Sequence, residues 1–459
     1  MEFPALTRTG AMAFFSDYGK NIHNPQGILY WTRKAKAKAR INATIGSARG
    51  PESAVYPEGG EREITLCTPL IHSFFNGLDT EEIFPYTPET GTPAFRSAWK
   101  KWVLARAGDE YERLERQLHP PILTPGITAA ISIAARMFVD PGRSLITADR
   151  RWENYDHVLG RNLGIRITDF PLYDGGDLNV AGLVSVIQRV WLEQDNAVVL
   201  LNFPNNPTGF CPSAAAGRRL VDALDRLAEG TDKRLVVLFD DAYESYVYDP
   251  AAMQSSLFYL CRPRTNLLPV KLDGVTKELL WYGARAGTIT LARPDEWLSG
   301  DDADTLASEI DNKFAGVNRG LFSNNSTVTQ SVATKAMEQM ERLVVERQRT
   351  FELLKERYQT LKEELGTMET DLLTVEPFQG GFFCFVTLRP ESGLRATDVA
   401  NHLLDEHGIG TVPFDGDNMN GLRIAFCSVD STDLPELCRR LAETVNELAE
   451  GGRQAHGKA

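Results

Sequence analysis

Lys277 is the residue around which the chemistry of this chain can be organised. Residues 267–272, which are apolar except for Lys271, are typical of a strand that runs into Gly274, so Lys277 follows closely, and Arg285 comes eight positions later. An amine that is desolvated and lies near other cations loses its proton more easily, and the neutral amine forms a Schiff base with an aldehyde. Most lysines are simply exposed. Whether Lys277 is reactive therefore depends on the residues that the fold brings near it.

Two other charged residues stand in apolar surroundings. Asp240 ends the apolar run 234–239, where an unpaired carboxylate would be costly, so we expect a cation to face it. Tyr243, three residues later, can point the same way. Arg423 lies inside an apolar strand near the C-terminus, and a buried guanidinium there needs an anion.

Residues that could hold a phosphate and a flat ring follow other strands. Gly126, Ile127 and Thr128 open a helix directly after a strand, so free backbone N–H groups and the helix dipole would point at a bound anion. Trp152 follows the next strand and could stack on a ring, although a core tryptophan has the same pattern. Asn206 lies in the turn 205–209, which is either a site element or only a turn.

The order of the segments predicts an α/β fold. From about residue 122, short apolar runs alternate with helical stretches, which is typical of a mostly parallel sheet covered by helices on both faces. Ligands bind at the carboxyl ends of such strands. The polar residues expected at those ends are Thr124, Asp149, Asn206, Asp240 and Lys277.

A second, smaller domain is expected at the C-terminal end. A charged helical stretch covers about residues 326–365, and strands are predicted near 381–386 and 422–426 in an α+β arrangement. We therefore divide the chain into an N-terminal segment that contributes to the small domain (1–60), a large cofactor-binding domain (61–330), and a connecting helix with the small domain (331–459).

Composition limits the class of partner. The 459 residues carry a net charge of −13, which disfavours nucleic acid and anionic membranes as partners. The six cysteines are scattered without a CxxC pair, so neither a metal site nor a disulfide framework is expected. No signal peptide or membrane span is apparent, and a cytoplasmic location fits best. The basic run 33–40 is typical of a solvated helix face rather than a nucleic-acid patch.

Together, these segments resemble the class I and II aminotransferases, which are pyridoxal-phosphate enzymes of fold type I and include aspartate aminotransferase. The resemblance covers about residues 33–440, and the motifs occur in the order and approximate spacing of that family. The matching stretches are Asn206-Pro207-Thr208-Gly209, Asp240-Asp241-Ala242-Tyr243, Thr276-Lys277 with Arg285, and Leu422-Arg423-Ile424.

The resemblance implies a role for each matching residue. Lys277 would carry pyridoxal 5'-phosphate (PLP) as a Schiff base and then act as the base, while Asp240 would keep the pyridine nitrogen protonated. Asn206 and Tyr243 would bond the ring hydroxyl, and Trp152 would stack on the ring. The substrate α-carboxylate would bind Arg423 near the backbone of Gly46. The phosphate would be held by Gly126, Ile127, Thr128, Thr276 and Arg285, with Tyr86 reaching it from the other subunit of a homodimer.

One position departs from the family pattern. The family often has a serine three residues before the lysine, where this chain has Gly274, so Thr276 and Thr128 would bind more of the phosphate. The neighbouring Asp273 is anionic and is expected to point away from the site.

Arg319 raises the possibility of a dicarboxylic substrate. It precedes Ser323-Asn324 at the spacing of the aspartate aminotransferase arginine that crosses the dimer interface to bind a distal carboxylate, although a solvated loop arginine near Glu309 or Asp311 fits equally. The expected reaction is amino transfer between an L-amino acid and a 2-oxo acid, possibly aspartate, glutamate or 2-oxoglutarate. A C–S or β-lyase on the same fold is the alternative, and a non-catalytic ligand-sensing module is a remote one.

Overall fold

The computed structural model describes residues 3–25, 27–299, 302–416 and 419–456. The α-helices in these ranges are α1 Pro4–Arg8, α2 Asp17–Asn21, α3 Ile28–Lys38, α4 Pro69–Ser73, α5 Thr80–Ile83, α6 Pro93–Leu104, α7 Tyr111–Gln117, α8 Ile127–Phe138, α9 Val180–Trp191, α10 Ala214–Glu229, α11 Leu257–Leu260, α12 Val275–Glu278, α13 Ala303–Leu321, α14 Thr327–Glu338, α15 Met340–Gly366, α16 Ala396–His407 and α17 Leu434–His456.

The strands are β1 Ile41–Asn42, β2 Arg49–Pro51, β3 Glu63–Thr65, β4 Ile122–Thr124, β5 Ser144–Ala148, β6 Arg166–Phe170, β7 Tyr173–Asp174, β8 Asp177–Leu178, β9 Asn196–Asn202, β10 Arg234–Asp240, β11 Leu267–Gly274, β12 Gly287–Leu291, β13 Leu373–Val375, β14 Cys384–Leu388, β15 Ile409–Gly410, β16 Val412–Gly416 and β17 Met419–Ile424.

A seven-stranded sheet is the centre of the α/β fold. Its strand order is β4-β12-β11-β10-β9-β5-β6, and the pairs among β11, β10, β9, β5 and β6 are parallel. The expected mostly parallel sheet is therefore confirmed. Strand β12 was not predicted, and it runs antiparallel to both β11 and β4. Its five buried residues carry no signal that distinguishes a parallel from an antiparallel neighbour.

Both faces of this sheet are buried, as its apolar strands predict. In β10, Val237 packs into one hydrophobic cluster while its neighbours Val236 and Leu238 pack into a second. Because successive side chains of a strand point to opposite faces, the two clusters lie on opposite sides of the sheet. This double burial fixes the strand ends, from which the polar residues of the site project.

A second sheet contains β13, β14, β17 and β16 in that order, with antiparallel pairing throughout. Near it, β1 pairs in parallel with β15, so that Ile41 lies opposite Ile409. Trp31 and Ile41 belong to the same hydrophobic cluster as Val386 and Leu422 of this sheet. This packing agrees with an N-terminal segment that contributes to the smaller domain, and the division at residues 60 and 330 stays a prediction.

Two segments differ from the sequence expectation. The predicted helical stretch 326–365 is two helices, α14 and α15, which are separated at Gln339 by a non-helical backbone with φ −103° and ψ 50°. Helix α13 was not predicted at all. Its 19 residues expose most of their side chains and bury only Phe314 and Asn318.

The basic helix α3 pairs with acidic residues of neighbouring helices. Lys38 lies 2.7 Å from Asp405 of α16, and Arg40, two residues after α3, lies 2.8 Å from Glu436 of α17. These pairs favour the predicted helix face over a nucleic-acid patch. No helix in the described ranges combines the length and apolarity needed to cross a membrane.

Asp311 belongs to an ion-pair cluster that ties α13 to α6. Its carboxylate accepts hydrogen bonds from Arg96 at 2.6 and 2.8 Å and lies 2.8 Å from Nε2 of His119. Partial burial raises the pKa of Asp311, but His119 and Arg96 lower it by more, to about 2. Because the pKa is lower in the folded protein than the value of about 3.9 in an unfolded chain, Asp311 stabilises the fold above about pH 4.

Asp311→Asn should lower the free energy of unfolding at pH 7 by about 1–3 kcal/mol, because Arg96 and His119 lose a charged acceptor. The difference from wild type should shrink as the pH falls from about 4 towards 2, where Asp311 itself becomes protonated. Urea unfolding at several pH values measures both. Glu443→Gln, which removes an exposed pair with Arg439, is the control and should change stability by less than about 1 kcal/mol. Equal effects of the two substitutions would contradict the prediction.

Candidate active site

A cleft of about 250 Å³ opens at the carboxyl ends of the central strands and gathers most of the predicted residues. It is bordered by strand ends, by the first turn of α8 and by α12, while Arg423 of β17 and the loop after β1 complete its wall. The predicted residues that line it are Gly46, Ile127, Thr128, Trp152, Asn206, Asp240, Tyr243, Thr276, Lys277, Arg285 and Arg423.

Lys277 projects into this cleft from α12, a four-residue helix that begins directly after β11. Its amine donates a hydrogen bond to the carbonyl oxygen of Gly46. The rings of Tyr243, Tyr282 and Phe382 surround the amine, with centroids 5.4, 4.8 and 4.9 Å from Nζ. Burial is the main cause that lowers the pKa of Lys277 to about 8, and the positive charges of Arg423 and Arg285 lower it further. The neutral amine is therefore accessible near neutral pH.

Asp240 is a buried carboxylate that forms no salt bridge with another residue of the described ranges. It is 3% exposed, and it accepts hydrogen bonds from the hydroxyl of Tyr155 and from the backbone N–H of Ala242, the latter at 3.3 Å. Burial raises the pKa of Asp240 to about 6, although both hydrogen bonds lower it. The expected cation is not a described lysine or arginine, since the nearby Lys271 pairs with Asp241 and Glu244. The negative charge of Asp240 can therefore be balanced by a cation bound in the cleft.

The other end of the cleft is suited to an anion. Helix α8 begins at Ile127, so its N-terminal N–H groups face this end. The guanidinium of Arg285 lies directly over Gly126, where a Cβ atom would be 2.4 Å from Nη2. Gly126 has φ 96°, so a side chain there would be both strained and in collision with Arg285. Thr128 and Thr276 add two hydroxyl groups to this subsite.

The geometry of Gly274 accounts for the missing serine. A Cβ at residue 274 would lie 2.5 Å from the carbonyl oxygen of Ala286 and 2.7 Å from Cα of Gly287. Strand β12 thus approaches too closely for a serine side chain. As expected, Asp273 points away from the cleft and accepts hydrogen bonds from Trp99, at 3.0 Å, and from Thr288.

Arg423 is a buried guanidinium with spare donors. It is 1% exposed, and it donates to the carbonyl oxygen of Thr44 at 3.0 Å and to the side-chain oxygen of Asn206 at 3.4 Å. Its Nε has no partner among the described residues. Burial lowers the pKa of Arg423 to about 10, while Tyr243 and Glu153 oppose this effect. The expected anion partner is not a carboxylate of the described residues. The guanidinium therefore remains available to a carboxylate of a molecule bound in the cleft.

Asn206 is fixed by a residue that the sequence did not single out. The side chain of Asn202, the last residue of β9, accepts a hydrogen bond from the backbone N–H of Asn206 and donates one to the carbonyl oxygen of Asp240. Both hydrogen bonds are 2.8 Å long. The turn packs tightly against the smaller sheet, because a Cβ at Gly209, with φ 79°, would lie 2.2 Å from the carbonyl oxygen of Phe383.

Three of the predicted site residues do not line the cleft. Gly126 lies just beneath it, under Arg285. Tyr86 is 92% exposed, and its hydroxyl forms no hydrogen bond within the described part of the chain. Arg319 is exposed in the last turn of α13 rather than in a loop, and it donates to the hydroxyl of Ser323 at 2.9 Å. Asp149, expected at the same edge of the sheet, pairs with Arg150 instead.

Several residues at the site were missed, among them Tyr282 and Phe382 beside the Lys277 amine. Tyr155 follows Trp152 by three positions, a spacing that places both near one face of a turn, but nothing indicated that its hydroxyl bonds Asp240. Ile28, Asn202 and Phe383 line the cleft from distant segments. Phe383 follows Gly380-Gly381, a close-packing signal that could have pointed to it.

Comparison with known proteins identifies the family. The family model described as "Aminotransferase class I and II" matches residues 61–441. The chain belongs to the class I and II aminotransferases. An aspartate aminotransferase of Sulfolobus acidocaldarius is 24% identical over 349 residues, which are 71% of this chain and 75% of the relative. An arginine–pyruvate transaminase of Pseudomonas aeruginosa is 21% identical over 95% of this chain and 98% of its own length.

Solved structures show the same fold. An aminotransferase from Anaerococcus prevotii has a TM-score of 0.78 at 23% identity and covers 94% of this chain and 99% of its own. A kynurenine aminotransferase from Pyrococcus horikoshii, solved with PMP, has a TM-score of 0.74 at 18% identity, with 96% and 99% covered. The fold expectation is confirmed, and the protein is a PLP-dependent aminotransferase.

The charges of this aminotransferase fit PLP. The cleft holds Lys277, Arg285 and Arg423 as cations and Asp240 as an anion, and none of the four forms a salt bridge with another described residue. Arg285 and the start of α8 match a phosphate, and Asp240 matches a protonated ring nitrogen. Lys277 matches the aldehyde, and Arg423 remains for a substrate carboxylate.

Asp240→Asn should leave the fold intact but reduce kcat by the equivalent of about 3–5 kcal/mol, because a neutral amide cannot balance a buried cation. Steady-state kinetics with the PLP-loaded variant measure the loss. Tyr155→Phe is the matched control: it removes a hydrogen bond to Asp240 and keeps the charge, so it should cost less, about 1.5–3 kcal/mol. Wild-type turnover in Asp240→Asn would show that Asp240 is not the ring partner.

Proposed function

We propose that this aminotransferase transfers the amino group of an L-amino acid to a 2-oxo acid through PLP attached to Lys277. The observation that supports this proposal is the set of four uncompensated charges in one cleft. When bound, PLP supplies an electron sink for the negative charge that forms as the substrate α-proton leaves. Asp240 keeps the proton on the ring nitrogen, which that sink requires.

The other residues orient the reactants. Arg423 binds the α-carboxylate in a charge-assisted contact, and the Gly46 backbone beside it limits where that carboxylate can lie. Tyr243 and Asn206 hold the ring hydroxyl, and Trp152 covers the ring. The phosphate is anchored by Thr128, Thr276 and Arg285.

Lys277 moves the proton. Its Nζ takes the proton from the substrate Cα and passes it to the cofactor. A base works best when its pKa lies near the working pH, and burial brings that of Lys277 to about 8.

A dicarboxylic substrate is the finer part of the proposal, and it depends on Arg319. The Arg319–Ser323 contact continues through Asn324, whose side chain hydrogen-bonds to the carbonyl oxygen of Thr87, next to Tyr86. The two residues proposed to serve a partner's site thus lie on one connected, exposed surface. This arrangement supports a homodimer in which Tyr86 and Arg319 complete the partner's cleft.

Lys277 is expected to be the PLP attachment site, because it is the buried lysine that faces the cleft without a carboxylate partner. Borohydride reduction of the loaded protein, followed by peptide mapping, should place the pyridoxyl group on Lys277. Lys271 is an internal control: it is more deeply buried and is paired with Asp241 and Glu244, so it should stay unmodified. Label on Lys271 or on no lysine would end the proposal.

The same preparation identifies the amino donor. The protein is mixed with single amino acids, and absorbance reports conversion of PLP to its amine form. Release of ammonia and a 2-oxo acid without a second substrate would indicate lyase chemistry instead.

Arg319→Ala should lower kcat/KM for glutamate or aspartate by roughly tenfold or more and spare neutral and aromatic amino acids, because a charge-assisted contact contributes about 1.5–3 kcal/mol. Steady-state kinetics with both classes of substrate measure the selectivity. A loss shared by all substrates, or no loss, would leave Arg319 a surface residue.

Hybrid dimers test whether Arg319 acts across the interface. In a dimer of one Lys277→Ala chain and one Arg319→Ala chain, the second chain supplies Lys277 to its own site. The first chain supplies the intact Arg319 to that same site. Activity with glutamate should return to about half of wild type if Arg319 acts in the partner's site, since one of two sites is complete. An active monomer in sedimentation would contradict this arrangement.

A further inference from the structure

A buried cluster of charged side chains lies next to the segments that carry Tyr243 and Lys277. Glu244 and Glu278, the residues that follow them, are 4% and 1% exposed. Glu244 binds Lys271 at 2.5 Å, and Glu278 lies 3.1 Å from Arg347 of α15. The proposed reaction does not use this cluster.

Arg106 is the member that connects the two segments. One terminal nitrogen lies 3.3 Å from Glu244 and the other 2.6 Å from Glu278. Its guanidinium packs over the ring of Trp102, with Cζ 4.5 Å from the centroid, which limits its rotation. The planar guanidinium of an arginine can hold two carboxylates in fixed directions, which the single ammonium of a lysine cannot do.

Two further contacts join the same segments. The Ser245 hydroxyl donates to Glu278 at 3.0 Å, and the Tyr246 hydroxyl donates to the carbonyl oxygen of Lys277 at 2.9 Å. Helix α12 has only four residues and no side-chain cap, so it depends on such contacts for its position.

We propose that Arg106 is a positioning residue that sets Lys277 relative to Tyr243 and Asp240 by joining Glu278 to Glu244. The inference rests on the proposed role of Lys277. Without the double contact, α12 would shift relative to the segment after β10. Water would then reach the amine more easily, and the pKa of Lys277 should rise, because burial is the main cause that lowers it.

Arg106→Lys tests the proposal, since it keeps the positive charge but loses the planar guanidinium that contacts both Glu244 and Glu278. The full-length protein is freed of PLP, and the rate at which added PLP reattaches is followed by absorbance over a range of pH. Attachment forms a C=N bond between Nζ and the aldehyde carbon with release of water, so its rate follows the neutral fraction of the amine.

The midpoint of this pH profile should lie at least about half a unit higher in Arg106→Lys than in wild type. In the loaded enzyme, kcat should fall roughly tenfold to a hundredfold while KM changes little, since a misplaced base affects the chemical step. Arg342→Lys is the matched control, because Arg342 pairs with Glu346 within α15, 2.9 Å apart, and it does not contact α12. Its profile should match wild type.

An unchanged midpoint and kcat in a folded Arg106→Lys protein would overturn the proposal, even if its melting temperature fell. If that variant does not fold, Glu278→Gln replaces it: the same upward shift supports the proposal, and no shift overturns it. Failure of the Lys277 assignment is separate, because Lys277→Ala would then reattach PLP as well as wild type.

Discussion

Burial of Lys277 without a carboxylate partner is the constraint on which the site depends. Lys271, six residues earlier, shows what a partner would do. Lys271 is fully buried and Lys277 partly so; burial alone would lower the pKa of Lys271, but its ion pairs with Asp241 and Glu244 raise it well above the ordinary value. Lys277 instead meets aromatic rings, one carbonyl oxygen and two arginines, and its pKa falls. The side chain is the same, and the neighbouring charges decide whether it can become a nucleophile and a base.

The same principle separates the two adjacent aspartates after β10. Asp241 lies with Lys271 in the buried cluster, whereas Asp240 accepts only neutral hydrogen bonds. A strand makes this division possible, since its successive side chains point to opposite faces. On one face, the ion-paired cluster with Lys271 and Asp241 holds the backbone in position. On the other face, charges without a protein partner point into the cleft. A buried charge without a partner destabilises the free protein, so bound PLP should stabilise the fold as well as supply chemistry.

The central sheet and most of the site could be predicted from sequence because their signals are local. Strand β10 is an apolar run that stops at a carboxylate, and the start of α8 is marked by a glycine after a strand. What could not be predicted depends on packing between distant segments. The Tyr155 hydroxyl meets Asp240 across 85 positions of the chain, and β12 excludes a side chain from Gly274. The break at Gln339 also lacks a local signal.

The reacting groups proposed for this aminotransferase and the groups that could meet a substrate side chain lie in different parts of the fold. Every α-amino acid presents the same carboxylate and the same α-proton, and the residues proposed to meet them, Arg423 and Lys277, are held by β17 and by the short helix that follows β11. The groups that can meet a substrate side chain come from helices at the margin, namely Ile28 of α3 and, in the proposed dimer, Arg319 of α13. A helix at the margin can change residues without disturbing the strand ends. Similarity of this chain both to a relative named for aspartate and to one named for arginine is compatible with this separation.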